Sequence, residues 1–285
     1  MSANYWSSTQ RHQWQYTRTE LHEEHMKVRQ WDYDEGKIAN LDDDTLYDNM
    51  RLYFHSLVRL LGRQLNVRQR AIGTAEVYLT RFFTRISFFE VNAYAMVATC
   101  VYVACKTEEC PQHIRTITNE ARSLWPEYVS PDPTKIAECE FYLIEELDSY
   151  LIVYHPYRSL IQLTESLTIA NSQLTLLSEE IQSAWSMIND SYATDMLLLY
   201  PPHIIAMACL YITLVLRTPL MRQSRSYESV KAKFDQFVFF LGNSGIDLES
   251  VIDAIQELIS LYVRWESYDE SRCKLILSKH ILSSG

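Results

Sequence analysis

The sequence predicts an all-α chain: two tandem five-helix domains preceded by an N-terminal helix. Three observations carry that expectation. Apolar residues recur at helical spacing along nearly the whole chain, and no segment gives a convincing period-2 strand pattern. Glycine is scarce, 6 in 285 residues, which argues against Gly-rich phosphate loops and multi-turn β folds. The helical pattern also repeats. Placing Cys209-Leu210-Tyr211-Ile212 under Cys100-Val101-Tyr102-Val103 sets an offset of 109 residues, and Ala95–Ala98 then lie over Ile204–Met207 and Phe88-Phe89 over Leu197-Leu198. A repeat this long marks a duplicated domain rather than a short solenoid unit. The expected division is an N-terminal extension and helix at 1–40, a first domain at 41–152, a second at 153–268 and a C-terminal tail at 269–285.

The elements follow in order. The segment "RTELHEEHMKVRQWDYDEG", 18–36, is too charged to be buried all round and reads as a helix laid on the first domain. "LDDDTLYDNMRLYFHSLVRLLGRQL" opens on an acidic cap and places Leu46, Met50, Tyr53, Leu57 and Leu60 on one face. "NVRQRAIGTAEVYLTRFFTR" carries Ile72, Ala75, Leu79, Phe82 and Phe83. "SFFEVNAYAMVATCVYVACK" is apolar nearly all round, as the helix at the centre of a bundle must be. A polar stretch holding a short helix and a Pro-rich connection leads to "TKIAECEFYLIEELDSYL", with Ile136, Cys139, Leu143 and Leu147 inward. The second repeat runs in the same order: "YHPYRSLIQLTESL", "LSEEIQSAWSMINDSYATDM", the apolar central "PPHIIAMACLYITLVLR", "SYESVKAKFDQFVFFLG" and "DLESVIDAIQELISLYVRWE".

Hydrophobic residues make up 47% of the chain, enough for a real core, and the formal net charge is −10. That balance opposes a nucleic-acid-wrapping surface and favours protein partners. The cysteines at 100, 105, 110, 139, 209 and 273 include no C-x-x-C pair, and several sit in apolar runs as small hydrophobes. They read as reduced thiols of a cytosolic or nuclear protein. "MSANYWSSTQ" lacks the apolar region of a signal peptide. The longest apolar runs, near Ala93–Cys105 and Ile204–Leu216, are too short to span a bilayer and read as buried helices. The sequon Asn189-Asp190-Ser191 reads as chance in such a compartment.

No catalytic, cofactor-binding or metal-binding residue emerges. G-x-G-x-x-G, G-x-x-x-x-G-K-[ST] and G-x-S-x-G are all missing from the sequence. "HEEH", His22 to His25, spaces its histidines three apart where a metalloprotease helix needs four, and no third ligand is in view. "LDDD" and "IEELD" read as a cap and a solvated face.

"VYVACKTEEC", 101–110, raises a different question, because the fully apolar helix stops at Lys106 and turns acidic at once. A lysine there can satisfy the last carbonyls and the helix dipole. It can equally be a handle set at the rim of the core for a partner. A duplicated five-helix domain whose third helix ends "ACKTEE" resembles the cyclin box. On that resemblance the family's lysine falls on Lys106 and the glutamate of the fifth helix on Glu140 in "ECEFYL". Met50-Arg51 stand as in cyclins with a substrate-docking patch. The aspartate that answers this arginine falls on Thr80, so the patch is not carried over. "NYWSSTQRHQWQ", "LIVYHPYRSL" and "NDSYATDMLLLYPPHIIAMACLYI" are similar to the cyclin C subfamily over nearly the whole chain.

The resemblance implies a regulatory subunit with no reaction and no cofactor of its own. Its implied partners are the cyclin-dependent kinase and other subunits of the Mediator kinase module, and its implied place is the nucleus, in RNA polymerase II transcription. Lys106 and Glu140 are the expected contacts to the kinase backbone near its αC helix, with Val103, Ala104, Leu143, Ile144 and Leu147 around them. The same two charges can instead pair with each other across packed helices, and both readings hold if the pair is preorganised. A second partner surface is expected from Trp6, Trp14, Glu108, Trp185, Asn189 and Asp190, as aromatic anchors beside polar groups. The alternatives are another transcriptional cyclin of the cyclin H type, or a DNA-binding factor with two cyclin-like repeats, which the acidic balance opposes.

Overall fold

In the computed structural model, residues 4–41, 43–170, 175–220 and 227–283 are described, and among them there is no strand. Residues 1–3 of the expected extension, Asp42 of the expected cap, Ser226 at the start of an expected helix and the last two residues of the expected tail lie outside the described residues. A 3-10 turn, Tyr5–Ser7, and α1, Thr9–Gln13, lead into α2, Arg18–Asp34. Thr17 and Glu20 close a capping box at the start of α2: the Glu20 N–H donates to the Thr17 hydroxyl at 3.2 Å and the Thr17 N–H to the Glu20 carboxylate at 2.7 Å.

The first repeat is α3 (Asp44–Gln64), α4 (Gln69–Arg85), α5 (Ala93–Thr107), α6 (Ile114–Leu124) and α7 (Thr134–Glu146). Asp43 caps α3 by accepting from the Leu46 N–H at 3.2 Å, and Asn92 caps α5 by accepting from Tyr94 and Ala95. The second repeat is α8 (Pro156–Ala170), α9 (Ser178–Ser191), the single turn α10 (Met196–Leu199), α11 (Pro202–Leu220), α12 (Tyr227–Asn243) and α13 (Leu248–Glu266). The starts of α4 and α9, and those of α5 and α11, are each 109 residues apart, the offset set by the cysteine alignment. Residues 269–285, expected as a tail, carry α14 (Glu270–Ser283), which packs on α3.

Two compact units divide the chain, one of residues 1–153 with 263–285 and one of 154–262. In the first, α5 touches α3, α4, α6 and α7. Of positions 93–105 only Ala95 and Tyr102 keep partial exposure, because a helix with neighbours on every side has no solvent face. Each large apolar side chain buried this way, such as Met96 or Val97, contributes about 1.5–3 kcal/mol. In the second unit α11 takes the same place, against α8, α9 and α12. One core assignment shifts. Leu60 is 46% exposed and Leu61 is fully buried, since the 3.6-residue period carries the seam from Leu57 to Leu61.

The N-terminal helix is fastened from within the first unit. α2 packs on α4, and its Asp32 is wholly buried, accepting hydrogen bonds from the Tyr47 and Ser87 hydroxyls. Burial raises the Asp32 pKa above the ordinary carboxylate value, although both hydroxyls act to lower it.

Candidate functional site

Lys106 stands on the last turn of α5, where the apolar helix leaves the core. Its ammonium donates to Glu140 on α7 and lies 4.7 Å from the centre of the Tyr102 ring, a cation–π position. The Lys106 side chain is 42% exposed and that of Glu140 only 15%. Burial works against the charged ammonium, yet the hydrogen bond and charge of Glu140 outweigh it and hold the Lys106 pKa above its ordinary value. An ammonium carries three donors and a carboxylate about four acceptor positions, so the pair keeps spare capacity in both senses. A partner that offers a backbone carbonyl to Lys106 and an N–H to Glu140 meets both without breaking the pair.

The outward face of α7 continues this surface. Ala137, Glu140, Phe141 and Ile144 share it by helical spacing. Phe141, next to Glu140 in sequence, is 75% exposed, and it is absent from the set expected from sequence. Its signal was in the phase: Phe141 lies two residues, about 200°, round the helix from the buried Leu143.

Four of the expected apolar contacts are not surface. Val103 is 1% exposed, and Ala104, Leu143 and Leu147 are 0% exposed. They are closed into the core of the first unit and support the turns that carry Lys106 and Glu140; Ile144 alone of the expected apolar set keeps partial exposure.

Trp14 is likewise internal, fully buried among cations. Arg81 lies 5.0 Å and Arg85 4.4 Å from its ring. The same two arginines tie α4 to the end of the repeat: Arg81 donates to the Tyr150 carbonyl at 3.0 Å, and Arg85 to the Glu146 carbonyl at 2.7 Å and to Asp148 at 2.8 Å. Burial pushes the Arg81 pKa down to about 10. Trp14 therefore packs on the clasp that closes the first repeat, and of the expected pair Trp6 and Trp14 only Trp6, 56% exposed, offers surface. Glu108 is also held inside the first unit, paired to Arg70 at 2.6 Å and accepting from the Thr74 hydroxyl at 2.7 Å.

On the second unit, Trp185 and Asn189 come together as expected from their one-turn spacing. The Trp185 ring stacks on Tyr157 at 4.6 Å, and the Tyr157 hydroxyl donates to Asn189 at 2.8 Å. Asp190 accepts from the Tyr262 hydroxyl at 3.1 Å. All three residues are half-buried, part packed and part open. Among the described residues no three His, Cys, Asp or Glu side chains are placed to hold a metal ion, and no helix is long and apolar enough to cross a membrane.

Comparison with known proteins identifies the architecture. Residues 17–152 match the cyclin N-terminal domain and residues 155–263 the cyclin C-terminal domain. A relative from Yarrowia lipolytica, described as an RNA polymerase II holoenzyme cyclin-like subunit, is 54% identical over 281 residues, spanning 99% of this chain and 100% of its own. The protein of the same description from Saccharomyces cerevisiae is 45% identical over 312 residues, covering 97% of each. Among solved structures, a chain of the CAK complex of Chaetomium thermophilum has the same fold, with a TM-score of 0.68 at 18% identity, covering 97% of this chain and 88% of that one. With relatives this similar over nearly its full length and both domain models in tandem, the chain belongs to the cyclin family.

Proposed function

We propose that this chain is a transcriptional cyclin of the cyclin C type, the regulatory subunit that binds and activates the cyclin-dependent kinase of the Mediator kinase module in the nucleus. Its closely similar relatives are described as RNA polymerase II holoenzyme cyclin-like subunits, which supports the transcriptional role. The observation that carries the reading is the Lys106–Glu140 pair at the rim of a rigid core, beside the exposed Phe141.

A kinase is active when a β3 lysine pairs with a glutamate on its αC helix, so whatever holds that helix governs the rate. Shifting such an equilibrium from 1:99 to 99:1 takes about 5.5 kcal/mol of differential binding. An exposed aromatic with a half-buried isoleucine supplies apolar contact, and the charge pair supplies direction. The cyclin performs no chemistry; it selects the active kinase conformation. Trp6 on the first unit, and Trp185 with Asn189 and Asp190 on the second, are proposed as contacts for other subunits of the kinase module.

The test is co-purification of the wild-type chain and Lys106→Glu against a panel of cyclin-dependent kinases, with activity read on a polymerase C-terminal-domain peptide and folding checked by circular dichroism. Retention and activation of the Mediator kinase by the wild type, lost in the folded variant, is the expected result. Preferential retention of a different kinase from the panel would refute the cyclin C assignment.

A further inference from the structure

α5 ends in a left-handed cap. Glu109 has φ +54°, and the Cys110 N–H donates to the Cys105 carbonyl at 3.0 Å. In such a cap the side chains at the two ends of this bond are pressed together. Here both are cysteines, brought side by side by that backbone bond. Both are reduced, Cys105 fully buried and Cys110 half-buried. A disulfide needs Cα atoms about 4.4–6.8 Å apart, and the backbone hydrogen bond places the two residues next to each other across the cap, so that a small movement of the helix end brings the sulfurs together. Cys139, the other half-buried thiol, is engaged with Thr99.

We propose that Cys105 and Cys110 are a redox modification site, at which a hydroperoxide closes an intrachain disulfide around Lys106. With hydrogen peroxide, the accessible Cys110 sulfur attacks one oxygen, the O–O bond breaks, and the thiol proton leaves in a molecule of water, giving a sulfenic acid. The Cys105 sulfur then displaces the hydroxyl, which leaves as a second water with the Cys105 proton. Two electrons pass from the two thiols to the peroxide, and the S–S bond remains. Cys110 is half-buried and Cys105 fully buried, so the peroxide reaches Cys110 first and Cys105 is the resolving sulfur.

The ring so formed contains Lys106, and drawing the sulfurs together shifts the last turn of α5 beneath its pairing with Glu140. A loss of kinase retention on oxidation follows; this consequence rests on the kinase-binding reading above.

The experiment treats the folded full-length chain with hydrogen peroxide, alkylates free thiols and digests with trypsin, which cuts after Lys106 and separates Cys105 from Cys110. Peptides 86–106 and 107–115 should then run as one species, two hydrogens lighter than their sum. Dithiothreitol should release them, and neither Cys105→Ser nor Cys110→Ser should show the link. Free peptides from the oxidised wild type, or a link that survives in Cys105→Ser through Cys100, would overturn the site. Oxidised and reduced chains are then compared for kinase retention in wild type and Cys110→Ser. A linked chain that retains the kinase fully overturns the regulatory consequence, whereas a reduced wild type that retains none overturns the kinase-binding reading and leaves the disulfide standing.

Discussion

Exchanging the charges of Lys106 and Glu140 separates a structural ion pair from a pair aimed at a partner. Within the fold the pair bridges α5 and α7 at a site where the lysine side chain is 42% exposed, so it contributes only about 0–1 kcal/mol to stability. Lys106→Glu alone sets two carboxylates together and costs a similar amount through repulsion. The double variant Lys106→Glu/Glu140→Lys restores opposite charges across the same gap, and its urea midpoint should return close to that of the wild type.

Binding should not return. A partner backbone presents its carbonyl where the ammonium was and its N–H where the carboxylate was, and neither can be exchanged. The swapped pair faces acceptor with acceptor and donor with donor. Losing a hydrogen-bonded charge contact at an interface costs about 2–5 kcal/mol. At about 1.4 kcal/mol per tenfold, this weakens the kinase Kd by about 30-fold to several-thousand-fold. Equilibrium urea unfolding and kinase affinity, measured on the wild type, Lys106→Glu, Glu140→Lys and the double variant, give the two axes. Affinity that recovers with stability in the double variant would refute the reasoning, because the pair would then act only by bracing the helices.

Other perturbations test the remaining parts of the account. Trp14→Ala removes a fully buried ring packed against Arg81 and Arg85 and should cost about 3–5 kcal/mol in urea unfolding; a loss below about 1 kcal/mol would contradict its role on the α4 clasp. Phe141→Ala, at a 75% exposed position, should leave stability within about 0.5 kcal/mol while raising the kinase Kd; an unchanged Kd would move the interface off α7. The Asp32 pKa is raised by burial, so its folded value lies above its unfolded one and the ionised carboxylate opposes folding above the folded pKa. That opposition fades as pH falls through the folded pKa towards the unfolded value. The stability difference between wild type and Asp32→Asn should therefore move in favour of the wild type on acidification from neutral pH, and a shift in the variant's favour would contradict it.

What could be read in the sequence follows from what each residue pattern encodes. A helix that is apolar all round can only be central, so α5 and α11 declare their positions, and the offset between them carries the rest of the duplication. The same uniformity hides which side chains reach the surface. Val103 and Ala104 look no different from exposed apolar residues until four neighbours are packed around them, and Trp14 shows its place only once Arg81 and Arg85 lie against it. Phase along a helix is more telling than hydrophobicity. Leu61 rather than Leu60 continues the α3 seam, and Phe141 points away from the seam that Leu143 and Leu147 occupy. The Lys106–Glu140 pairing, 34 residues apart, came from family likeness, since periodicity does not encode which charges meet. Yet the physical ground for it is in the pattern. A helix with most of its side chains locked in the core holds its terminal lysine still, so Val103, Ala104, Leu143 and Leu147 serve by fixing where Lys106 and Glu140 stand.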